Sequence, residues 1–164
     1  MATQNVNLSQ YNKEELPNAK NFSFAIVVSQ WNSHITDNLL DGAVKTLSDL
    51  GAKQKMIDIH FVPGSFELIY SAAQLCKSKK YDAIITIGSV IRGETAHFDY
   101  VCQGVTQGIK DLNIQYNTPV IFCMLTDNNE QQSIDRSGGK HGNKGVEAAV
   151  TALKMAKLNK KLNQ

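Results

Sequence analysis

Four short apolar runs alternate with amphipathic segments along this chain, and this alternation constrains the fold more than any other feature. The runs cover residues 23–28, 53–61, 83–87 and 119–125. The first three are each followed by apolar residues at the spacing of three and four that is typical of a helix with one buried face, and the fourth leads through a short helix to a last helix of the same kind. Strands that alternate with helices pair in parallel through right-handed crossovers, and the helices then cover both faces of the sheet.

This pattern predicts an α/β protein, a flavodoxin-like three-layer α/β/α sandwich with a four-stranded parallel sheet. The 164 residues have the length of one ordinary domain. Residues 1–21 are polar, with Pro17 near their end, and we expect them to form a separate amino-terminal arm. Residues 22–164 then form a single domain.

Charge and composition exclude several classes of partner. The net charge of +2 is too small to indicate a nucleic-acid partner. Charged residues make up 20% and hydrophobic residues 42% of the chain, which is typical of a soluble globular protein with no membrane partner. The amino terminus lacks an apolar signal-peptide core, so we expect a cytoplasmic protein. Cys76, Cys102 and Cys123 are never spaced as Cys-x-x-Cys, which favours buried thiols in a reducing compartment.

Polar residues cluster after each predicted strand. Trp31 and Asn32 follow the first strand, residues 64–67 the second, residues 88–97 the third and Asp127 the fourth. The carboxyl ends of parallel strands meet at one edge of the sheet, where ligands bind in such folds. We therefore expect a single active site at this edge.

The most distinctive segment is GSVIRGETAHFDYV at residues 88–101. A glycine-containing loop holds Arg92, Glu94 and Thr95, and the next helix has His97 in its first turn. The unpaired N–H groups and the dipole of a helix start favour a bound anion. An imidazole titrates near neutrality and can move protons. An anion site beside a proton-transfer residue indicates chemistry on a small phosphorylated molecule.

Other candidate residues are ambiguous from their own context. Trp31, the only tryptophan, suits either a core anchor or a stacking surface for a flat ring. Glu67 at a helix start indicates capping, and Arg136 indicates an exposed ion pair. The histidines other than His97 show no metal-ligand spacing, so we expect no metal site.

Residues 138–145, GGKHGNKG, resemble a phosphate-binding loop only at first sight. They lack the order Gly-x-x-x-x-Gly-Lys-Ser/Thr and follow a helix rather than a strand, which excludes a nucleoside triphosphatase. We interpret the segment as a hinge between two helices, with Lys144 near an anion. From the residues alone, the prediction is a small α/β enzyme that handles a compact phosphate and a flat heterocycle.

Four motifs occur together and in order: WNSHIT at residues 31–36, VPGSFE at 62–67, GSVIRGETAHFDY at 88–100 and GGKHGNKG at 138–145. In this combination the chain resembles the 6,7-dimethyl-8-ribityllumazine synthase family over about residues 21–158. The resemblance implies the penultimate step of riboflavin biosynthesis. In that step 5-amino-6-(D-ribitylamino)uracil condenses with 3,4-dihydroxy-2-butanone 4-phosphate, and phosphate and water are released. The resemblance implies no metal and no organic cofactor.

The resemblance also assigns roles to residues by motif. His97 matches the proton-transfer residue, and Glu94 with Thr95 matches the phosphate-binding pair. Phe122 and Arg136 match positions that a neighbouring subunit contributes, with Arg136 facing the phosphate. The residues that match the pyrimidine-binding and ribityl-binding positions are Trp31, Ser65, Phe66, Glu67, Ser89, Val90 and Ile91. By this resemblance Trp31 stacks on the pyrimidine and residues 65–67 bind the ribityl chain. Residues 89–91 bind the uracil through their backbone.

Two residues depart from the family pattern. Glu94 places a carboxylate where the phosphate docks, and we expect its backbone N–H to bind while the side chain points toward Arg92 or solvent. Trp31 stands where phenylalanine is common, a change that preserves stacking.

The resemblance implies an assembly of subunits as well. Members form homo-pentamers, and many pack their pentamers into an icosahedral shell of sixty subunits, with which riboflavin synthase can associate. A compact segment like 138–145 accompanies the shell in this family, so we expect the shell here. The arm before Phe22 would add a strand to an adjacent subunit's sheet.

Other functions fit only part of these observations. The related archaeal-type riboflavin synthases share the fold, but their reaction needs no phosphate site. A non-catalytic flavin- or lumazine-binding cage would not need His97 or Arg136. A flavodoxin-type electron carrier would need a Ser/Thr-rich phosphate loop after the first strand, which the sequence lacks. These differences favour the synthase.

Overall fold

The sheet that organises this protein has four parallel strands, and the computed structural model describes the chain over residues 7–163. The strands lie in the spatial order β2-β1-β3-β4 and are β1 (Phe24–Ser29), β2 (Ile57–Val62), β3 (Ala83–Ile91) and β4 (Val120–Asp127). The helices are α1 (Ser33–Asp49), α2 (Leu68–Ser78), α3 (His97–Gln115), α4 (Glu130–Arg136) and α5 (Lys144–Leu162). This architecture confirms the predicted α/β fold. Within residues 7–163, no helix combines the length and the apolar composition that crossing a membrane requires.

Helices cover both faces of the sheet, and β1 shows how the residues of a strand divide between them. Phe24, Ile26 and Val28 pack with α1 and α5 in one core cluster. Ala25 and Val27 pack with α2 and α3 in the other. Every residue of β1 is buried, as expected for a central parallel strand whose side chains meet a helix layer on either face.

The outer strands are less buried than the central ones. β2 begins at Ile57, later than the predicted start of the run, because Gln54–Met56 form a 3₁₀ turn. Ile59 and Phe61 on β2 are exposed, as is Phe122 on β4. Exposed apolar side chains on the outer strands mark surfaces that suit contact with other chains.

Helices α1 and α5 approach closely because glycines occupy their contact. A Cβ on Gly145 would collide with the backbone carbonyl oxygen of Leu39, and one on Gly42 would lie 2.6 Å from the Asn143 side chain. Asn143 caps α5, since its Oδ1 accepts from the Gly145 N–H at 2.8 Å. Its Nδ2 donates to the Asn38 carbonyl of α1 at 2.8 Å. The contact therefore determines both where α5 begins and how it lies on α1.

The segment predicted as a hinge between helices forms a small antiparallel hairpin. Its strands are β5 (Ser137–Gly139) and β6 (Gly142–Asn143). Gly138 and Gly142 have φ values of 120° and 81°, which glycine adopts without the steric cost of a Cβ. The hinge prediction was incomplete because strands this short show no periodicity in the sequence.

The described part of the predicted arm, residues 7–21, runs over its own subunit. It contains two short 3₁₀ turns and no strand paired within this chain. Near its start, the Leu8 N–H donates to the His141 carbonyl of the hairpin at 2.8 Å. Residues 1–6 of the arm lie outside the described residues. The addition of a strand to an adjacent subunit stays a prediction.

We expect Gly145→Ala to lower the free energy of unfolding by about 1–3 kcal/mol, because the added methyl group meets the Leu39 carbonyl and forces α5 away from α1. Gly93→Ala is the matched control, since a Cβ there would meet no described atom within 4 Å. Its free energy of unfolding should stay within about 0.5 kcal/mol of the wild type. Guanidinium unfolding followed by circular dichroism measures both variants. Equal stability of the two would contradict the close α1–α5 contact.

Candidate active site

A cleft of about 770 Å³ opens at the carboxyl edge of the sheet, where the sequence predicted an active site. It lies between the ends of β1, β2 and β3 and the first turns of α2 and α3. Most of the predicted site residues line it: Trp31, Ser65, Phe66, Glu67, Ser89, Val90, Ile91, Thr95 and His97. Three sequence motifs that are far apart along the chain therefore meet in one space.

Strand β3 forms one wall of the cleft because it outruns its neighbour β1. The last β3 residue that pairs with β1 is Ile87, whereas β3 continues to Ile91 and pairs with β4 as far as Asp127. The segment predicted as loop after Ile87 is thus still strand, with backbone groups that β1 does not engage. The Ser89 carbonyl accepts from Asn32 Nδ2 at 3.0 Å, which ties this wall to the turn after β1. A planar ring with amide-like edges can pair with such a strand edge.

Close contacts around two glycines shape the inner part of the cleft. A Cβ on Gly88 would lie 2.7 Å from Ser65 Oγ, and one on Gly104 would lie 2.6 Å from the Phe66 ring. Ser65 is buried, whereas Phe66 is exposed. Glycine at both positions therefore lets the segment after β2 lie directly against β3 and α3.

Glu67 occupies the N-cap position of α2, yet its side chain makes no capping hydrogen bond within the described chain. The carboxylate lies over Gly64, where an added Cβ would be 2.9 Å from Oε2. Because the side chain is exposed and lines the cleft, its oxygens can accept hydrogen bonds from hydroxyl groups. The prediction that the Glu67 side chain caps the helix was therefore wrong.

His97 is the first residue of α3 and lines the cleft with an exposed side chain. Its backbone N–H donates to Thr95 Oγ1 at 3.3 Å. The helix it begins has 19 residues, and the dipole and unpaired N–H groups at its start favour an anion. The loop and the imidazole thus lie together at the start of α3, as the sequence predicts.

Aromatic side chains surround the mouth of the cleft. Trp31 is 72% exposed, which excludes the alternative of a core anchor. It precedes Asn32, whose left-handed backbone (φ 59°, ψ 46°) turns the chain from β1 into α1. Phe66 and Tyr100 are also exposed and also line the cleft. Exposed rings around a cleft offer stacking surfaces for a flat ligand.

Asn32, Gly64 and Gly93 also line the cleft, at the sheet edge where the sequence placed them but without a role of their own. Sequence reasoning assigned no part in the site to four further lining residues: Pro63, Phe98, Tyr100 and Val101. Tyr100 had a usable signal, because it lies three residues after His97 and therefore on the same helix face. Phe98 had none, because it is buried and its apolar side chain fits the core pattern of α3.

Glu94 does not line the cleft of this subunit. Its side chain is exposed, and its carboxylate makes no hydrogen bond within residues 7–163. The carboxylate was expected to point toward Arg92 or toward solvent, and it points toward solvent. It does not pair with Arg92, because Arg92 binds the Asp99 carboxylate at 2.9 Å.

Two further predicted residues, Phe122 and Arg136, also lie away from this subunit's cleft. Phe122 is exposed on β4 at the far edge of the sheet. Arg136 ends α4 and donates from one terminal nitrogen to the Gln132 carbonyl at 2.8 Å. Lys144, expected near an anion, lies 3.1 Å from both carboxylate oxygens of Glu147.

Asp127, the polar residue at the end of β4, is buried and accepts from Ser133 Oγ at 2.8 Å. It therefore holds α4 against the sheet and does not line the cleft. In the described part of the chain, no group of three or more His, Cys, Asp or Glu side chains is placed to hold a metal ion.

Comparison with known proteins gives one consistent result. The family model for 6,7-dimethyl-8-ribityllumazine synthase matches residues 21–160. The 6,7-dimethyl-8-ribityllumazine synthase of Flavobacterium psychrophilum is 61% identical over 99% of this chain and 86% of its own length. The synthase of Christiangramia forsetii is 58% identical over 98% of this chain and 96% of its own. The synthase of Phocaeicola vulgatus is 54% identical over 100% of this chain and 98% of its own length.

The three cysteines are free thiols. Burial raises the pKa of Cys76 to about 11 and the pKa of Cys123 to about 12. Cys102 is only half-buried, and its pKa is raised chiefly by desolvation and also by the nearby Asp99. Because the thiolate is the form that attacks electrophiles and binds metals, none of the three is a suitable nucleophile at neutral pH. The prediction of buried thiols is confirmed for Cys76 and Cys123.

We expect Cys123 to resist a thiol-directed reagent at pH 8 in the folded protein. A pKa of about 12 instead of 9.0 leaves roughly a thousandfold less thiolate than an ordinary cysteine has. All three thiols should react after unfolding in guanidinium, and Cys123→Ala should lower the count only in the unfolded protein. Rapid labelling of Cys123 in the folded protein, located by mass spectrometry, would contradict its burial.

Proposed function

This chain belongs to the 6,7-dimethyl-8-ribityllumazine synthase family, and we propose that it performs the family's reaction in the cleft at the carboxyl edge of its sheet. That reaction, a transfer step of riboflavin biosynthesis, condenses 5-amino-6-(D-ribitylamino)uracil with 3,4-dihydroxy-2-butanone 4-phosphate and releases phosphate and water. The observation that carries the proposed location is the cleft itself, which unites Trp31, Glu67 and His97.

The chemistry requires proton transfer at several stages. The 5-amino group adds to the ketone and loses water to give an imine, and phosphate then leaves by elimination. The resulting enol tautomerises, and the ribitylamino nitrogen closes the ring with loss of a second water. Because no step needs a strong protein nucleophile, one imidazole that gives and takes protons suffices. His97 is the histidine that lines the cleft.

The ribitylaminouracil fits the part of the cleft between β3 and the aromatic mouth. Its ring stacks on Trp31, and its amide-like edge pairs with the backbone of Ser89, Val90 and Ile91. Its ribityl hydroxyls donate to Glu67, with Ser65 and Phe66 beside them. The exposure of Trp31 and the uncapped position of Glu67 support these assignments.

The sugar phosphate fits the start of α3. Its phosphate binds the N–H groups of Glu94 and Thr95, which places the reacting carbons beside His97. The exposed Glu94 carboxylate supports this geometry, because a side chain directed into solvent leaves its own backbone N–H accessible. Holding two substrates in register in this way reproduces part of the high effective molarity of intramolecular reactions.

Phe122 and Arg136 complete the site from a neighbouring subunit. Neither lines the cleft of its own subunit, yet Phe122 is an exposed aromatic residue on an outer strand. Arg136 uses one terminal nitrogen for the Gln132 carbonyl, and its other donors remain for a phosphate. A head-to-tail contact that closes into a ring brings the residues of one subunit to the cleft of the next.

The ring is a homo-pentamer, and twelve such rings pack into an icosahedral shell with which riboflavin synthase associates. Large exposed apolar side chains on several elements support extensive subunit contacts. They include Ile59, Phe61, Ile114 and Leu162. The free thiols support a reducing compartment such as the cytoplasm.

We expect His97→Ala to lower kcat for lumazine formation by about a hundredfold, because general acid–base help contributes ~10²–10⁴-fold. The rate should stay above the spontaneous condensation, since binding still aligns the substrates. His60→Ala is the control, because His60 is exposed on β2 and does not line the cleft. Lumazine absorbance, corrected for the uncatalysed blank, measures both. A wild-type rate no greater than the blank would contradict the enzymatic function.

Mixed assemblies test the contribution of Arg136 from a neighbour. When His97→Ala and Arg136→Ala subunits are co-expressed equally, about one cleft in four receives both native residues across a subunit boundary. We therefore expect about a quarter of the wild-type activity. Wild-type subunits mixed with the double variant should also give about a quarter. If both residues served the same subunit's cleft, the first mixture would show only residual activity and the second about half.

A further inference from the structure

The loop that leads into α3 has little packing of its own. Residues 93–97 are all exposed, and a Cβ on Gly93 would meet no atom of the described chain within 4 Å. The contact within this stretch is the bond from the His97 N–H to Thr95 Oγ1 at 3.3 Å. The position of the first turn of α3 must therefore be set from outside the loop.

Arg92, which precedes the loop, links the end of β4 to the first turn of α3. Its backbone N–H donates to the Asp127 carbonyl at 2.9 Å, and its Nε donates to Asn128 Oδ1 at 3.1 Å. Both contacts attach it to the end of β4. Its guanidinium lies 4.1 Å from the centre of the Phe98 ring. Its terminal nitrogens donate to the two carboxylate oxygens of Asp99 at 3.3 and 2.9 Å.

These contacts hold the two residues that directly follow His97. A bidentate guanidinium–carboxylate pair fixes direction as well as distance, and the ring contact prevents rotation about that pair. Phe98 is buried, so the turn is held on its inner side too. The hydrogen bond to Asp99 also raises the pKa of Arg92, as a favourable pair should.

The occupied donors leave Arg92 poorly suited to bind an anion. Of its five N–H donors, Nε serves Asn128 and two terminal donors serve Asp99. One face of the guanidinium plane is covered by Phe98. The neighbouring Asp99 carboxylate repels a phosphate that would approach the same group.

We propose that Arg92 is a positioning residue of the reaction, which orients the His97 imidazole toward the substrates through its pair with Asp99 and does not bind the phosphate. The inference rests on the proposed role of His97. Arg92 anchors the end of β3 to β4, and the pair transmits that anchoring to the first turn of α3. Asp99 is the second positioning residue, and neither Arg92 nor Asp99 contacts the reacting atoms.

Steady-state kinetics of Arg92→Gln and Asp99→Asn test the proposal. Each should lower kcat by about tenfold, since misplacement removes part of the proton-transfer contribution. Each should change KM for the sugar phosphate by less than about threefold. Arg92→Lys should behave like Arg92→Gln, because lysine keeps the charge but not the fork. In a His97→Ala background, Arg92→Gln should lower kcat by less than about twofold, since no imidazole remains to be placed.

Each other outcome overturns the proposal in a recognisable way. An equal loss from Arg92→Gln with and without His97 would show that Arg92 acts independently of the imidazole. Full activity of Asp99→Asn, with Kd for inorganic phosphate raised more than tenfold by Arg92→Gln, would make Arg92 an anion ligand. Unchanged kcat in His97→Ala alone would first refute the proposed role of His97. Unfolding temperatures show whether Arg92→Gln folds. If it does not, the same double-mutant comparison with His97→Ala is made with Asp99→Asn instead.

Discussion

The overhang of β3 beyond β1 is the constraint on which the site depends. Up to Ile87 the strand is hydrogen-bonded on both sides and its residues are buried, so its path is determined by the core. From Ser89 to Ile91 the strand that pairs with it is β4, and the side that β1 leaves open becomes a wall of the cleft. The same strand then delivers Arg92 and the loop before α3. A strand that ended level with β1 would leave neither the wall nor a rigid support for the loop.

Glycines convert this edge from a flat surface into a cleft. Because Gly88 has no side chain, Ser65 and Met124 can both occupy the space that its Cβ would fill. Gly104 and Gly108 do the same for α3, where Phe66 and Ile69 lie against the helix. The segment after β2 can therefore lie against β3 and α3, and Glu67 and His97 line the same cleft. Interiors packed at this density cannot absorb an added methyl group without a shift of the backbone, so the shape of the cleft is a property of the core.

The sequence was sufficient to predict the elements with long, regular patterns. It was insufficient where the structure depends on contacts between separate segments of the chain. The strands and the start of α3 near His97 follow from periodicity and local sequence, and the structure confirms them. The hairpin at 137–143 and the extension of β3 escaped prediction because two or three residues carry no period. The Arg92–Asp99 pair depends on how a loop folds back, which no local pattern records. The proposed roles of Phe122 and Arg136 rest on the resemblance alone, since a contact with another subunit would leave no signal in their own surroundings.

The two ends of the sheet use their charged residues differently. At the amino end, Asp82 binds Lys160 at 3.1 Å and accepts from the Ser23 N–H at 2.7 Å, so these charges support the fold. At the carboxyl end, the side chains of Glu67, Glu94 and His97 make no hydrogen bond within residues 7–163, so they remain available to ligands. Exposure also weakens them, because water screens charges and competes for hydrogen bonds. In the proposed assembly, a neighbouring subunit that brings Phe122 and Arg136 over the cleft would remove this disadvantage, because it would add a cation for the phosphate and exclude water in the same step. If the proposed assembly forms, it takes part in catalysis, because a single subunit lacks the cation and the cover that its neighbour would supply.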